Sequence, residues 1–353
     1  MTTTAKPAPA AVRSARAEFP KMRERDLAAQ LGISEAEFVA AWVGEGVRRI
    51  EPRVNDFLTG MEALGEVMAL TRNESAVHEK IGVYDKVVTG PHAAMALGEN
   101  IDLRIFPKTW AHGFAVAKPD GEGNIKRSLQ FFDDTGEAMH KVHMREASNV
   151  EAYEALVASL LLDDQSPELN VKAPKETPSE GLPESVDTDA LRQRWSAMTD
   201  VHQFMNILRD FKLSRQQAVR VVGQDYAWPI GNEAVADMMR ASADKQIPIM
   251  VFVGSRGCIQ IHTGPISNIV PMGPWLNVMD PTFHMHLRVD HIAEVWAVRK
   301  PATDGHVTSI EAYDAAGKLI IQFFGKRKEG SVERDDWRSL VETLPRQDQS
   351  VAA

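Results

Sequence analysis

Ser34-Glu35-Ala36-Glu37-Phe38-Val39 recurs as Ser214-Arg215-Gln216-Gln217-Ala218-Val219, an offset of 180 residues (214 minus 34). Working outward, Thr89-Gly90-Pro91 reappears as Thr263-Gly264-Pro265, Ala117-Lys118-Pro119 as Arg299-Lys300-Pro301, and Asp133-Asp134-Thr135-Gly136 as Asp314-Ala315-Ala316-Gly317. The chain is therefore one unit written twice. Each quoted start reads as a helix opening, because a Ser hydroxyl followed three residues later by Glu37 or Gln217 forms a capping box. Asp200 and Gln203 look like the same device, and Val201, Phe204, Met205, Leu208 and Phe211 follow at spacings of three and four, the mark of an amphipathic helix.

The remainder of each copy reads as strands. Ile101, Leu103 and Ile105 alternate with Asp102, Arg104 and Phe106, and Met285 and Leu287 alternate with His284, His286 and Arg288. Breaks at Asp120-Gly121, Asp304-Gly305 and Ala316-Gly317 are hairpin signals between β-rich runs. Helices grouped ahead of antiparallel strands predict an α+β class built by internal duplication: two similar halves, each with an antiparallel sheet and packed helices. The expected boundaries are a disordered tail over 1–18, an N-terminal repeat over 19–165, a Pro-, Glu- and Ser-rich linker over 166–189, a C-terminal repeat over 190–345 and a tail over 346–353.

Composition narrows the function classes. Net charge is -9 over 353 residues, which argues against a broad nucleic-acid surface, since phosphate binding needs clustered Lys and Arg. A lone Cys258 rules out an internal disulfide and a cysteine zinc cluster, and points to a reducing, cytoplasmic setting. No apolar run reaches the roughly 20 residues that would span a bilayer. Nor does the chain carry a Gly-x-Gly-x-x-Gly, a P-loop or a Gly-x-Ser-x-Gly.

One residue breaks the repeat. Running the offset back from His202 in Asp200-Val201-His202-Gln203-Phe204 reaches Met22. At a helix start the macrodipole disfavours imidazolium, and a neutral imidazole is what a metal ligand must be; the alternative is an ordinary half-exposed histidine. Arg215, Lys300, Arg327 and Arg104 are either solvent-facing cations or the elements of an anion site. His284, His286, His140 and His143 read as structural or solvent-facing, because a zinc site needs three or four convergent ligands. Cys258 reads as a small buried side chain. Phe204, Met205, Phe252, Phe323 and Phe324 suit a core, or the wall of a flat apolar ligand.

Trp195-Ser196-Ala197-Met198-Thr199-Asp200-Val201-His202-Gln203-Phe204, then Leu213-Ser214-Arg215-Gln216-Gln217-Ala218, and Asp290-His291-Ile292-Ala293-Glu294-Val295-Trp296-Ala297-Val298-Arg299-Lys300-Pro301 resemble the cytoplasmic haem-utilisation proteins of the HemS/ChuS/HmuS/PhuS family. The resemblance runs from about Phe19 to Leu344. It implies one haem bound between two similar halves, a proximal iron ligand at His202, a distal arginine at Arg104, and propionate or pocket contacts from Arg215, Lys300, Arg327 and Gln322, with Phe252 in the apolar wall. One position departs: where some members have a tyrosine, this chain has Phe324, so a hydroxyl contact worth about 0.5 to 1.5 kcal/mol is absent. The chemistry matches haem's needs, which are an axial donor, an apolar slot and cations for two carboxylates. The resemblance further implies a haem importer or a separate haem oxygenase as partner. Three functions compete: a cytoplasmic haem carrier, favoured because no flavin or nicotinamide motif marks an electron source; a haem-degrading, oxygenase-like enzyme; and an interaction module without a cofactor.

Overall fold

The computed structural model describes residues 6–174, 186–328 and 330–347. Two compact units share them: unit 1 holds residues up to 72, 79–174 and 254–260, and unit 2 holds 73–78, 186–253 and the rest from 261. Each unit thus keeps a short piece of the other repeat, so the contiguous boundaries drawn from sequence do not follow the compact units.

Unit 1 carries helices α1 (Pro9–Glu18), α2 (Glu24–Gln30), α3 (Glu35–Ala40), α4 (Val54–Met61) and α5 (Val150–Ser159). Its strands are β1 (Val47–Ile50), β2 (Val67–Arg72), β3 (Ala76–Gly82, begun in unit 2), β4 (Val87–Val88), β5 (Ala94–Leu97), β6 (Asp102–Ile105), β7 (His112–Pro119), β8 (Ile125–Phe132) and β9 (Ala138–Met144). The order β1-β7-β8-β9-β2 is antiparallel throughout, and β6-β5-β4 forms a smaller antiparallel ladder. Period two buries Ile101, Leu103 and Ile105 with Phe57, Tyr84, Trp110 and Phe131 and leaves Arg104 on the other face. Each such buried side chain contributes about 1.5–3 kcal/mol. The segment 254–260 is tied in where the Gly257 carbonyl accepts the Phe106 amide and the Trp110 indole, both at 3.0 Å.

Unit 2 repeats the plan. Helices α6 (Thr188–Ser196), α7 (Gln203–Phe211), α8 (Arg215–Val221), α9 (Ala234–Asp244) and α10 (Asp335–Thr343) accompany β10 (Ala227–Ile230), β11 (Ile249–Gly254), β12 (Cys258–Gly264, begun in unit 1), β13 (Ile269–Met272), β14 (Trp275–Met279), β15 (Phe283–Arg288), β16 (Glu294–Ala302), β17 (Gly305–Tyr313) and β18 (Leu319–Gly325). The antiparallel order is β10-β16-β17-β18-β11, with β15-β14-β13 as the smaller ladder. Even the β-bulges match: one lies between Phe131 and Phe132, its counterpart between Ala312 and Tyr313. Both predicted capping boxes are present, at Ser34 with Glu37 and at Ser214 with Gln217.

The termini and linker differ from expectation. The stretch read as a disordered tail contains α1, started by Pro9 and held by Val12 packing on Leu27, Ala28, Phe38 and Ala41, while Arg13 donates to the Ala41 carbonyl at 2.5 Å. Alanine is the strongest helix former, so an Ala-rich stretch needs only one apolar anchor. The start of the predicted linker docks through Leu169 and through Lys172, whose amide meets the Asp134 carbonyl at 2.7 Å; its end is already helix α6, and 175–185 lie outside the described residues. In the carboxy-terminal tail Arg346 lies over the Trp228 ring at 4.7 Å, and 348–353 lie outside the described residues.

Candidate ligand-binding site

The sheet of unit 2 has two unlike faces. Val251, Val253, Val295, Ala297, Ile310, Ala312, Ile321 and Phe323 point to one side, into a core closed by α9 and α10. On the opposite side Trp296, Val298 and Tyr313 are covered by α6, α7 and α8. Beyond that cover the same face continues with Lys300, Ser309, Glu311, Gln322, Phe324 and Phe252, in register as Glu311↔Gln322, Ser309↔Phe324 and Phe252↔Gln322. Phe252 and Phe324 meet edge to face at 4.9 Å and stay half-exposed. An aromatic surface left partly open beside buried charge is the raw material of a ligand site.

Glu311 is the residue that sequence reading missed. It is 0% exposed, and it accepts from Arg215 Nη1 at 3.0 and 3.2 Å, Lys300 Nζ at 2.7 Å, Gln322 Nε2 at 2.9 Å, Ser309 Oγ at 3.0 Å and the Tyr313 hydroxyl at 2.5 Å. Three of the side chains expected to serve an anionic ligand therefore converge on an internal carboxylate. Burial alone would raise the Glu311 pKa, but Lys300 and Arg215 outweigh it and hold the carboxyl far below its usual range. Burial pulls Lys300 down and pushes Tyr313 well up. Two cations against one carboxylate leave a single net positive charge. A buried charge needs such partners, and a glutamate within the β-rich run Val307 to Tyr313, set against Arg215 and Lys300, was the available signal.

His202 caps α7 and lies outside its first turn. The predicted Asp200 cap takes another form: Asp200 Oδ1 accepts from the His202 amide at 2.7 Å and from its Nδ1 at 2.8 Å, while Gln203 reaches back to the Thr199 amide at 3.0 Å. The two-residue reach closes an Asx turn, which competes successfully with a bond to the helix amides. Those hydrogen bonds lower the Asp200 pKa, aided by Arg327. An ionised carboxylate only accepts, so Nδ1 carries a proton, and in the neutral form of the ring the lone pair then lies on Nε2. The imidazole is 77% exposed and opens on a pocket of about 210 Å³ that it shares with Asp200, Thr303, Val307, Arg327 and Glu333. Val307, in the pocket wall, is the strand partner of Lys300, whose ammonium belongs to the Glu311 cluster. Carboxylate behind, free Nε2 in front is the arrangement of a metal-ligating histidine.

The other nominated residues are placed as follows. Arg104 belongs to unit 1, on β6, where its side chain is 37% exposed and ion-paired to Asp102. His140 is buried between the Thr71 hydroxyl at 2.8 Å and the Tyr84 hydroxyl at 2.6 Å, and burial pulls its pKa to about 3. Burial likewise pushes the Cys258 thiol up to about 12, which removes it as a nucleophile. Among the described residues no group of three or more His, Cys, Asp or Glu could hold a metal ion.

Unit 1 has rewired the equivalent face. Glu35 stands where Arg215 stands, and Gln130 faces Lys141 in the register by which Glu311 faces Gln322. Here the helix carries the carboxylate, and Glu35 is paired with Lys141 and Arg72. His143 and Leu70 replace Phe324 and Phe252. Met22, the counterpart of His202, packs against the small core around Leu27 and Phe38.

Fold and site together define a duplicated α+β protein in which, among the described residues, the second unit joins an exposed imidazole, an open aromatic surface and a cationic cluster. A family model described as the haemin-degrading HemS/ChuX domain matches residues 32–160 and again 212–344, and the chain belongs to that family. It is 40% identical over 335 residues to the hemin transport protein HmuS of Yersinia pestis, covering 95% of this chain and 96% of HmuS. Holo-PhuS, a heme-binding protein from Pseudomonas aeruginosa, is similar in structure at a TM-score of 0.93 and 43% identity, over 96% of this chain and 99% of PhuS. The heme-degrading enzyme ChuS of Escherichia coli O157:H7 matches at 0.86 and 37% identity, over 94% and 97%. Among the described residues no helix is long and apolar enough to cross a membrane.

Proposed function

We propose that this chain binds one haem and carries it in the cytoplasm during haem-iron acquisition, receiving it from an importer and passing it to a separate oxygenase. The observation that carries the reading is the pairing of Asp200 with His202 Nδ1, which leaves Nε2 facing an open pocket that also holds Arg327. His202 is the proposed proximal iron ligand, its ring oriented by the Asp200 carboxylate behind it. Phe252 and Phe324 offer apolar surface to the macrocycle. Arg215, Lys300 and Gln322, held by Glu311, and Arg327 at the pocket offer positive charge and donors to its carboxylates. Arg104 is the proposed donor to the sixth iron position.

A second reading, haem degradation, is favoured by the family description and by the similarity to the degrading enzyme ChuS. The two separate in one experiment. Haem is titrated into the purified protein, then reductant and O₂ are added with catalase present to remove peroxide. Persistence of the Soret band, with transfer of intact haem to an acceptor, supports the carrier; its loss with stoichiometric iron release and one defined tetrapyrrole product supports the enzyme. Failure to form a one-to-one complex would refute both.

A further inference from the structure

The Glu311 cluster reaches the iron-ligand candidate through one ring. Arg215 Cζ lies 4.9 Å and Lys300 Nζ 4.8 Å from the centroid of Phe204. Phe204 is buried, meets Trp195 edge to face at 4.9 Å, and is the second residue of α7, immediately after the N-cap His202 and Gln203. Both cations are thus fixed twice, by a carboxylate and by an aromatic face, and desolvated cation–π contacts of this kind are worth more than exposed ones. The start of α7 is held locally by Asp200 and Gln203, and Phe204 adds its one buried anchor in the first turn to the core around Trp195. At the matching positions of unit 1 the link is an ion pair instead of a ring contact: Lys118, which stands where Lys300 stands, bonds at 2.6 Å to Glu24, which replaces Phe204, and Gln130 replaces the central Glu311.

We propose that Glu311 is a positioning residue: by clamping Arg215 and Lys300 onto Phe204 it joins the anion-binding cations and the helix start bearing His202 into one rigid assembly with a single net positive charge. The proposal rests on the haem reading above. It makes Glu311 act on iron ligation through Phe204, and on carboxylate recognition through the two cations, at the same time.

The test uses the full chain and two probes, ferric haem and ferric protoporphyrin dimethyl ester, which lacks the carboxylates. Glu311→Gln should weaken haem binding at least tenfold and replace the single axial-histidine spectrum with a mixture of ligation states, by optical and electron paramagnetic resonance spectra. The mixture should persist with the ester. Phe204→Leu, which leaves the carboxylate cluster in place, should give the same mixture with less than a threefold loss of haem affinity, and it carries the test if Glu311→Gln does not fold by circular dichroism. Wild-type spectra for both variants with both probes would overturn the coupling, as would a Glu311→Gln defect that vanishes with the ester. His202→Ala runs alongside: a wild-type spectrum there would overturn the iron-ligand reading itself, and the proposal with it.

Discussion

Glu35→Gln tests the rewired face of unit 1. Glu35 is buried beside Lys141 and Arg72; burial alone would raise its pKa, and the two cations outweigh that and hold it at about 2 against an ordinary 4.5. At 1.36 kcal/mol per pH unit, that depression contributes roughly 3 kcal/mol at neutral pH. A carboxyl depressed on folding gives its stability above its unfolded pKa and loses it as pH falls through the folded value. The contribution is therefore complete above pH 4.5 and declines toward pH 2. The glutamine variant keeps the shape, drops the charge and leaves two cations with a neutral amide, so urea midpoints at pH 7 should fall by the equivalent of about 3 kcal/mol, or about 6–12 °C in Tm. The gap from wild type should narrow steadily in melts below pH 4.5, followed by far-UV circular dichroism. A gap below about 1 kcal/mol at pH 7, or one that does not change with pH, refutes the argument that ion pairing dominates burial at this site.

Further outcomes follow from the same reasoning. Lys300→Met leaves Glu311 with Arg215 as its one cation; breaking a buried pair from one side should cost about 3–5 kcal/mol in chemical denaturation, and a loss under 1 kcal/mol would contradict the cluster. Cys258, buried with its thiol pushed up to about 12, should resist a thiol reagent at pH 8 until denaturant is added; rapid labelling of the folded protein would show the site is open. Arg104→Ala should change ligand exchange at the sixth iron position, measured by cyanide or azide binding rates, more than it changes haem affinity; the reverse pattern would remove Arg104 from that role.

The duplication was legible because caps and turns repeat local chemistry: Ser34 with Glu37, Ser214 with Gln217, and the Gly-containing hairpins all form as the spacing requires. Alternation placed Leu103 inside and Arg104 outside for the same reason. What stayed hidden depended on partners distant in sequence. Glu311 becomes meaningful only when α8 and β16 bring Arg215 and Lys300 to it, across 96 and 11 residues. α1 escaped notice because an Ala-rich stretch with one large apolar residue looks like a tail until Val12 finds its core. The Asp200 motif was recognised as a cap, whereas its side chain turns to the histidine it precedes by two positions. That difference strengthens the ligand assignment, since a carboxylate on Nδ1 orients Nε2 outward.

The central claim is that the unmatched histidine makes unit 2 the half that supplies the proximal iron ligand. Optical titration of wild type, His202→Ala and Met22→Ala with ferric haem tests it most directly. The account predicts one haem per chain, a shifted Soret band and weakened binding for His202→Ala, and a wild-type spectrum for Met22→Ala. A wild-type spectrum for His202→Ala, or equal losses in both variants, would contradict it.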